Sequence, residues 1–377
     1  MRVAHICEDW LTGGIESFVL DLCRAMRPGG TESAIWFLYG EDEVRYMHAH
    51  GAAIPIRMKK KLRLDPLGLL RMRFALSRWR PDCLHCHGYY AALAALILRA
   101  TGLRVPVIYT IHANVQHGLQ RSDFLIRRVA QGCDLAVAVS QYTAKAMQRF
   151  TGGVVRPQVI RNGIDLERLE LTAGFRREAK RKALGVSQKA LLLVTVAALN
   201  PHKDYPTLFR AYSEFLRCSG DAQLLVVGDG DERTELQDLV RRLGIHNRVL
   251  FLGRRSDVHE LLAVADIFVL STHGEAFPIS VIEACCIGIP VVATETGGLT
   301  DLRRLGLQVV LTELENVDSL RDALLSLLDH QRRQLVGRRL RAQARLLFDI
   351  RRAADRYRSV YDNLLAANPT LQRAVLI

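Results

Sequence analysis

The chain has 377 residues, 49% of them hydrophobic and 24% charged, with 52 Lys and Arg against 39 Asp and Glu for a formal net charge of +13. That length exceeds one ordinary core and supplies two domains of usual size. The opening MRVAHICEDW lacks the long apolar core of a secretory signal, and the longest apolar run, 89–98, falls well short of the roughly 18 residues of a membrane span, so a soluble, cytoplasmic protein is expected.

Short apolar runs alternate with longer helical patterns, the signature of an α/β chain with parallel sheets covered by helices on both faces. Strands are expected over 3–6, 34–37, 83–86, 107–110, 135–139 and 158–160, and helices over 15–26, 67–78, 89–99, 122–131 and 141–150. A second series places strands over 191–197, 223–227, 249–252, 267–270 and 291–294, with helices over 205–215, 232–243, 258–264, 278–286 and 317–330. The segment between the series is polar and charged, which predicts a first domain over 1–165, a linker over 166–184 and a second domain over 185–350. A helix over 351–377 is expected to rejoin the first domain. In doubly wound sheets ligands bind outside the carboxyl ends of the strands, so function is expected where the two halves face each other.

Positive charge concentrates in the first half, in RMKKKLRL (57–64) and RMRFALSRWR (71–80). Leu67, Leu70 and Phe74 fall on one helical stripe with arginines around it, which fits an anionic lipid surface and fits packing against the sheet equally well. No nucleic-acid module is present, and nucleic acid is not an expected partner. The eight cysteines lack framework spacing and are read as reduced thiols. In CLHCHG, 83–88, strand alternation sets Cys83, His85 and His87 on one side and Cys86 on the other, so no metal site is assigned there.

The second half carries the more specific chemistry. LLVVGDGDERTEL ends a buried strand in Gly228, Asp229 and Gly230, where a ligand can approach the backbone; tight packing is the plain alternative. The next unit repeats the plan with Gly253, Arg254 and Arg255, and Ser256 as a helix N-cap. GEAFPISVIEACCIGIPVVA places Glu275 in a loop and Glu283 about two turns further on, in a helix with Pro278 at its first position. Free N–H groups at that helix start favour sugar or phosphate oxygens. Carboxylates accept hydrogen bonds from paired hydroxyls, which ribose and hexose both offer, and Lys203 after the strand at 191–197 suits a diphosphate. On the residues alone, the alternatives are a Glu283 paired with an arginine, a solvated Glu275 and a solvated Lys203.

With these pieces in place the chain resembles the retaining glycosyltransferases of family 4, which have the GT-B architecture of two facing Rossmann-like domains. The likeness rests on the Glu-x7-Glu spacing of Glu275 and Glu283 followed by GIPVVATETGG, with GGIESFVLDL, PDCLHCHGYY, IHAN, VIRNGID and GDGDERTEL in support, and it spans nearly the whole chain. The resemblance implies that the Gly14 amide approaches the diphosphate and Gly13 gives its loop the turn. It further implies that Lys203 stabilises the leaving diphosphate, Glu283 takes the ribose hydroxyls, and Glu275 with the backbone of Phe277, Pro278 and Ile279 holds the donor sugar. His112 is then a residue beside the transferred sugar, and Asn162 one near the hinge. Two departures stand out. Ala197-Ala198 replaces the usual Gly-Arg step, with His202, Arg254 or Arg255 as candidate compensating cations, and Pro278 stands where many members have glycine.

The implied activity is transfer of a hexose from a nucleotide diphosphate sugar to a saccharide or lipid-linked saccharide, with retention, in polysaccharide synthesis. No cofactor and no Asp-x-Asp metal site are assigned, the protein's own cations taking the place of a divalent ion. Contact with the inner face of a membrane is a further implication. A sugar-nucleotide epimerase of the same architecture, and a catalytically silent sugar-nucleotide or polyanion binder, are the alternatives.

Overall fold

Strands covered on both faces need apolar side chains at nearly every position, and the short runs of the sequence meet that need. The computed structural model describes residues 1–8, 14–39, 53–55, 64–112 and 123–367, the backbone alone at 53–55 and 123. Gly13 and most of the basic run at 57–64 lie outside the described residues.

The chain divides into two units, Met1–Gly163 with Ile350–Ile377, and Ile164–Asp349. In the first, the strands are β1 (Arg2–Cys7), β2 (Glu32–Phe37), β3 (Ala53–Pro55), β4 (Cys83–His87), β5 (Val107–Ile111), β6 (Leu135–Ala138) and β7 (Gln158–Val159). They form one parallel sheet in the order β3-β2-β1-β4-β5-β6-β7. The second unit has β8 (Leu191–Val196), β9 (Ala222–Val227), β10 (Val249–Gly253), β11 (Ile267–Leu270), β12 (Val291–Thr294) and β13 (Val310–Thr312). Its parallel order is β10-β9-β8-β11-β12-β13. Strand order reverses between β1 and β4 in one sheet and between β8 and β11 in the other. Those two points are where loops diverge and leave room at the carboxyl edge.

The expected strands are all present; β3 and β13, three residues each, were too short to stand out. The helix expected over 317–330 is two helices, Val317–Leu325 and His330–Leu347, because the Asp329 side chain accepts from the Arg332 amide at 2.6 Å and starts the second.

The stretch expected as a linker belongs to the second unit. Its helix, Arg177–Ala183, is charged because it pairs with acids on that unit. Arg177 meets Asp266 at 2.7 Å, buried Arg181 meets the same carboxylate at 3.5 Å, and Lys180 meets Asp257 at 2.6 Å. Asp266 also accepts the Leu192 amide at 2.8 Å, tying this helix to the start of β8.

The stripe of Leu67, Leu70 and Phe74 does not pack on the sheet. In the helix Pro66–Trp79 the buried positions are Gly68, Met72 and Leu76, whereas Leu70 and Phe74 are 65% and 71% exposed. Among the described residues no helix is long and apolar enough to cross a membrane.

The helix Ile350–Ala367 lies in the first unit, burying Ile350, Ala353, Ala354, Tyr357, Val360 and Tyr361 in one core with Phe18, Val19 and Leu22 of the helix Gly14–Met26. Their spacing of three and four makes one stripe. Beneath that stripe three histidines, His5, His85 and His87, are buried in the interior.

Two outcomes follow from these interiors. Asp266→Ala leaves the buried Arg181 guanidinium without its counter-charge and should cost about 3 kcal/mol; denaturant unfolding of the second unit measures it, and a loss under about 1 kcal/mol contradicts the reading. Burial holds the His5 imidazole down at about 3 and those of His85 and His87 well below the ordinary value, so all three are neutral at pH 7. The unfolded rings titrate near ~6.5 and take up protons that the folded ones refuse. Stability is therefore full above that pH and lost as pH falls, by up to about 1.4 kcal/mol per pH unit for each ring. Melting of the first unit should move steadily downward between pH 7 and pH 5, and a flat profile would show that the rings are charged or accessible.

Candidate functional site

In the second unit the chain leaves β8 through the single 3-10 turn Pro201–Lys203 and enters the helix Tyr205–Ser219. Asp204 takes a left-handed backbone there, φ 37°, and its side chain accepts the Thr207 amide at 3.3 Å. The turn is stitched to the loop after β11. The Ser271 hydroxyl donates to the Lys203 carbonyl at 2.9 Å, and the His202 carbonyl accepts from the Thr272 hydroxyl at 3.0 Å and the His273 amide at 2.8 Å. This brings Lys203 Nζ onto Glu275 Oε1 as an ion pair, 72 positions apart in sequence, with both side chains largely covered. Neither is solvated, so those two plain alternatives are excluded by the geometry.

Glycines set the backbone of this edge. A Cβ on Gly298 would strike the Ala276 carbonyl oxygen, and the Gly298 amide donates to the Glu275 carbonyl at 2.6 Å, so the loop bearing Glu275 rests directly on the start of the helix Gly297–Arg304. Gly228, at φ 135°, faces the Ala197 carbonyl in the same way, so close packing requires a glycine there.

The helix Ile279–Ile287, which follows the loop bearing Glu275, starts with no side-chain cap. Pro278 is its N-cap rather than its first helical residue, and Phe277 packs edge-on against Phe348 with centroids 5.8 Å apart. Any ligand contact at Phe277 thus falls to its backbone. Glu283 is the fifth residue of this helix, and its Oε1 accepts from Arg168 at 3.1 Å. The arginine-paired alternative for Glu283 is therefore what the structure contains. Arg168, on the turn Glu167–Leu169, was hidden inside the expected linker.

Of the cations considered for the missing arginine, Arg255 is bound to Asp257 through two nitrogens at 2.7 and 2.6 Å. Arg254 is exposed and near Asp229, whose carboxyl is held below its usual range first by the Gly230 amide and then by Arg233. The Asp229-Gly230-Asp231 spacing is itself Asp-x-Asp, and Asp229 is engaged in this turn.

In the first unit Gly14 opens the helix Gly14–Met26, and Phe18, one turn on, lies 5.9 Å from the His112 ring. Glu8, just past β1, accepts the Tyr90 amide at 2.7 Å and serves the start of the helix Tyr89–Ala100. His112 follows β5; its Nε2 lies 3.0 Å from His87 Nδ1, and burial holds its imidazole near about 3. His87 Nε2 lies in turn 3.0 Å from His5 Nδ1. Asn162 is buried with its Oδ1 lacking a partner among the described residues. His5, His85 and His87 bring ring nitrogens within 4.8 Å of one another, a grouping the strand-alternation reading of 83–88 did not foresee because His5 comes from another strand.

Residues 12–168 match the family described as Glycosyltransferase Family 4, and residues 176–345 match Glycosyl transferases group 1. N-acetyl-alpha-D-glucosaminyl L-malate synthase of Bacillus anthracis is 28% identical over 307 residues, 78% of each chain. The UDP-Gal:alpha-D-GlcNAc-diphosphoundecaprenol alpha-1,3-galactosyltransferase of Escherichia coli is 26% identical over 313 residues, 80% of each. Among solved structures, Anabaena HepE in complex with UDP-glucose has a TM-score of 0.86 at 22% identity, covering 96% of this chain and 100% of that one. Sucrose-phosphate synthase from Thermosynechococcus elongatus has a TM-score of 0.82 at 20% identity, covering 97% and 99%. Two adjoining family matches and these neighbours carry one conclusion: the chain belongs to the family 4, group 1 glycosyltransferases and has the GT-B fold.

Proposed function

We propose that this glycosyltransferase moves a hexose from a nucleotide diphosphate sugar to a hydroxyl of a saccharide or lipid-linked saccharide, with retention and with its own cations in place of a divalent ion, in cell-surface polysaccharide synthesis. The observation that carries the reading is the Lys203–Glu275 ion pair at the switch point of the second sheet, with Glu275 four residues before an uncapped helix start that itself lies one turn before Glu283. A lysine held there offers its charge to a departing diphosphate, and Glu275 passes to the sugar hydroxyls when the lysine changes partner. Glu283 shares its carboxylate between Arg168 and ribose hydroxyls, the arginine keeping it oriented. Gly14 and His112 of the first unit serve the same reaction, the glycine amide toward phosphate and His112 toward the transferred sugar. HepE is known in complexes with UDP-glucose, with UDP and glucose, and with UDP, which makes UDP-sugars the first donors to test.

The acceptor side is read from the helix Pro66–Trp79. Its outward Leu67, Leu70 and Phe74 lie among Arg71, Arg73, Arg78 and Arg80, an arrangement that suits an anionic lipid surface bearing a lipid-linked acceptor.

In a thermal-shift panel of nucleotides and UDP-sugars, a nucleoside diphosphate should raise the melting temperature, and Glu283→Ala should weaken the affinity by about 10- to 100-fold. An undiminished shift in that variant removes Glu283 from the ribose. Lys203→Ala should lower turnover about 100-fold. Without acceptor, a product sugar inverted at a ring carbon would favour the epimerase. Sedimentation with vesicles should show binding to phosphatidylglycerol but not to phosphatidylcholine alone, and Leu70→Ser with Phe74→Ser should abolish it; equal binding of the variant contradicts the lipid assignment.

A further inference from the structure

His5, His87 and His112 form a line of hydrogen bonds through the first sheet. His5 comes from β1 and His87 from β4, whose register sets Cys7 beside His87 and His5 beside His85. His112 lies two residues beyond Thr110, which pairs with His87 across β4 and β5. The contacts His5 Nδ1 to His87 Nε2 and His87 Nδ1 to His112 Nε2 are both 3.0 Å. Each neutral imidazole has one N–H and one bare nitrogen. His87 uses both, so it must donate on one side and accept on the other.

Only two proton arrangements satisfy this line. In one, all three rings carry their proton on Nδ1; in the other, all three carry it on Nε2. The two ends, His5 Nε2 and His112 Nδ1, are covered atoms with no hydrogen-bond partner among the described residues. An all-Nε2 line would leave an orphan N–H at His5, which is 0% exposed, and such donors are rare in proteins. The all-Nδ1 line leaves a bare nitrogen there and moves the unpaired N–H to His112, whose Nδ1 is also covered but whose ring belongs to a half-buried residue just past β5 and not to the closed interior.

We infer that His5 and His87 are positioning residues that fix His112 as its Nδ1–H tautomer, so that His112 meets the substrate as a hydrogen-bond donor and not as a base. The acceptor is an oxygen of the transferred sugar, a part of the inference that rests on the reading of His112 given above. The tautomer itself does not depend on that reading. His85 stands outside the line, since its Nδ1 is 2.7 Å from the Tyr361 hydroxyl and its Nε2 2.7 Å from the Thr110 hydroxyl. This also weighs against a metal ion among His5, His85 and His87. Such an ion would have to take a nitrogen of His85 from a hydroxyl to which it is already bonded.

The test is a long-range 1H–15N correlation spectrum of the full-length protein labelled in its 12 histidines, without donor or acceptor, at pH 7. His5, His87 and His112 should each show a protonated Nδ1 and a bare Nε2. Finding His112 protonated on Nε2, or in a mixture of tautomers, overturns the inference, as does stoichiometric zinc in the purified protein. In folded His5→Phe the line loses its first donor, and His87 and His112 should become tautomer mixtures. His5→Asn, whose amide N–H stands near the place of Nδ1, should restore them. An unchanged His112 tautomer in His5→Phe also overturns it, and the wild-type spectrum decides alone if that variant does not fold. Absence of sugar transfer leaves these spectra unaltered, so the two readings fail separately.

Discussion

An ammonium and a carboxylate, Lys203 and Glu275, meet where β8 and β11 end, and the proposed donor site is built around their pairing. Bringing both out of water costs desolvation that a single pair recovers poorly, and the fold meets that cost through backbone placement. Ser271, Thr272 and the His273 amide hold the lysine turn, while Gly298 holds the peptide of Glu275. The charges are therefore positioned before any ligand arrives. In the proposed reaction a diphosphate would take Lys203 and a sugar diol Glu275, one set of partners exchanged for another with no bare charge left in the covered edge.

The two sheets use their switch points differently. In the second unit the edge carries charges, with Lys203 on Glu275 and Arg168 on Glu283, as suits a ligand that is itself anionic. In the first unit the corresponding edge is lined by imidazoles that burial keeps neutral, joined from His5 to His112. A neutral line orients a donor without adding a charge. The helix Ile350–Ala367 packs beside it without joining it, Tyr361 bonding to His85 and Tyr357 to Thr110.

The sequence made the sheets legible because parallel strands buried on both faces leave continuous apolar runs. Glu275, Glu283 and Lys203 were legible through spacing and resemblance, but their partners were not. Arg168 was lost in a charged stretch that read as linker, since nothing in Arg177, Lys180 and Arg181 announces that Asp257 and Asp266 await them about 75 to 90 positions later. Leu67, Leu70 and Phe74 showed a stripe without showing which way it faced; Met72 and Leu76 took the inward side. The helix Gly297–Arg304 was hidden by its opening glycines, which are there for close approach to Glu275 and Ala276. His5 gave no signal, because its link to His87 depends on β1 pairing with β4.

The most direct test is a crystal structure of the protein with an intact UDP-sugar. The account predicts Lys203 Nζ turned from Glu275 to the diphosphate, Glu275 on a sugar hydroxyl and Glu283 on the ribose while still joined to Arg168. A nucleotide bound elsewhere, with Lys203 and Glu275 still closed on each other, would contradict it.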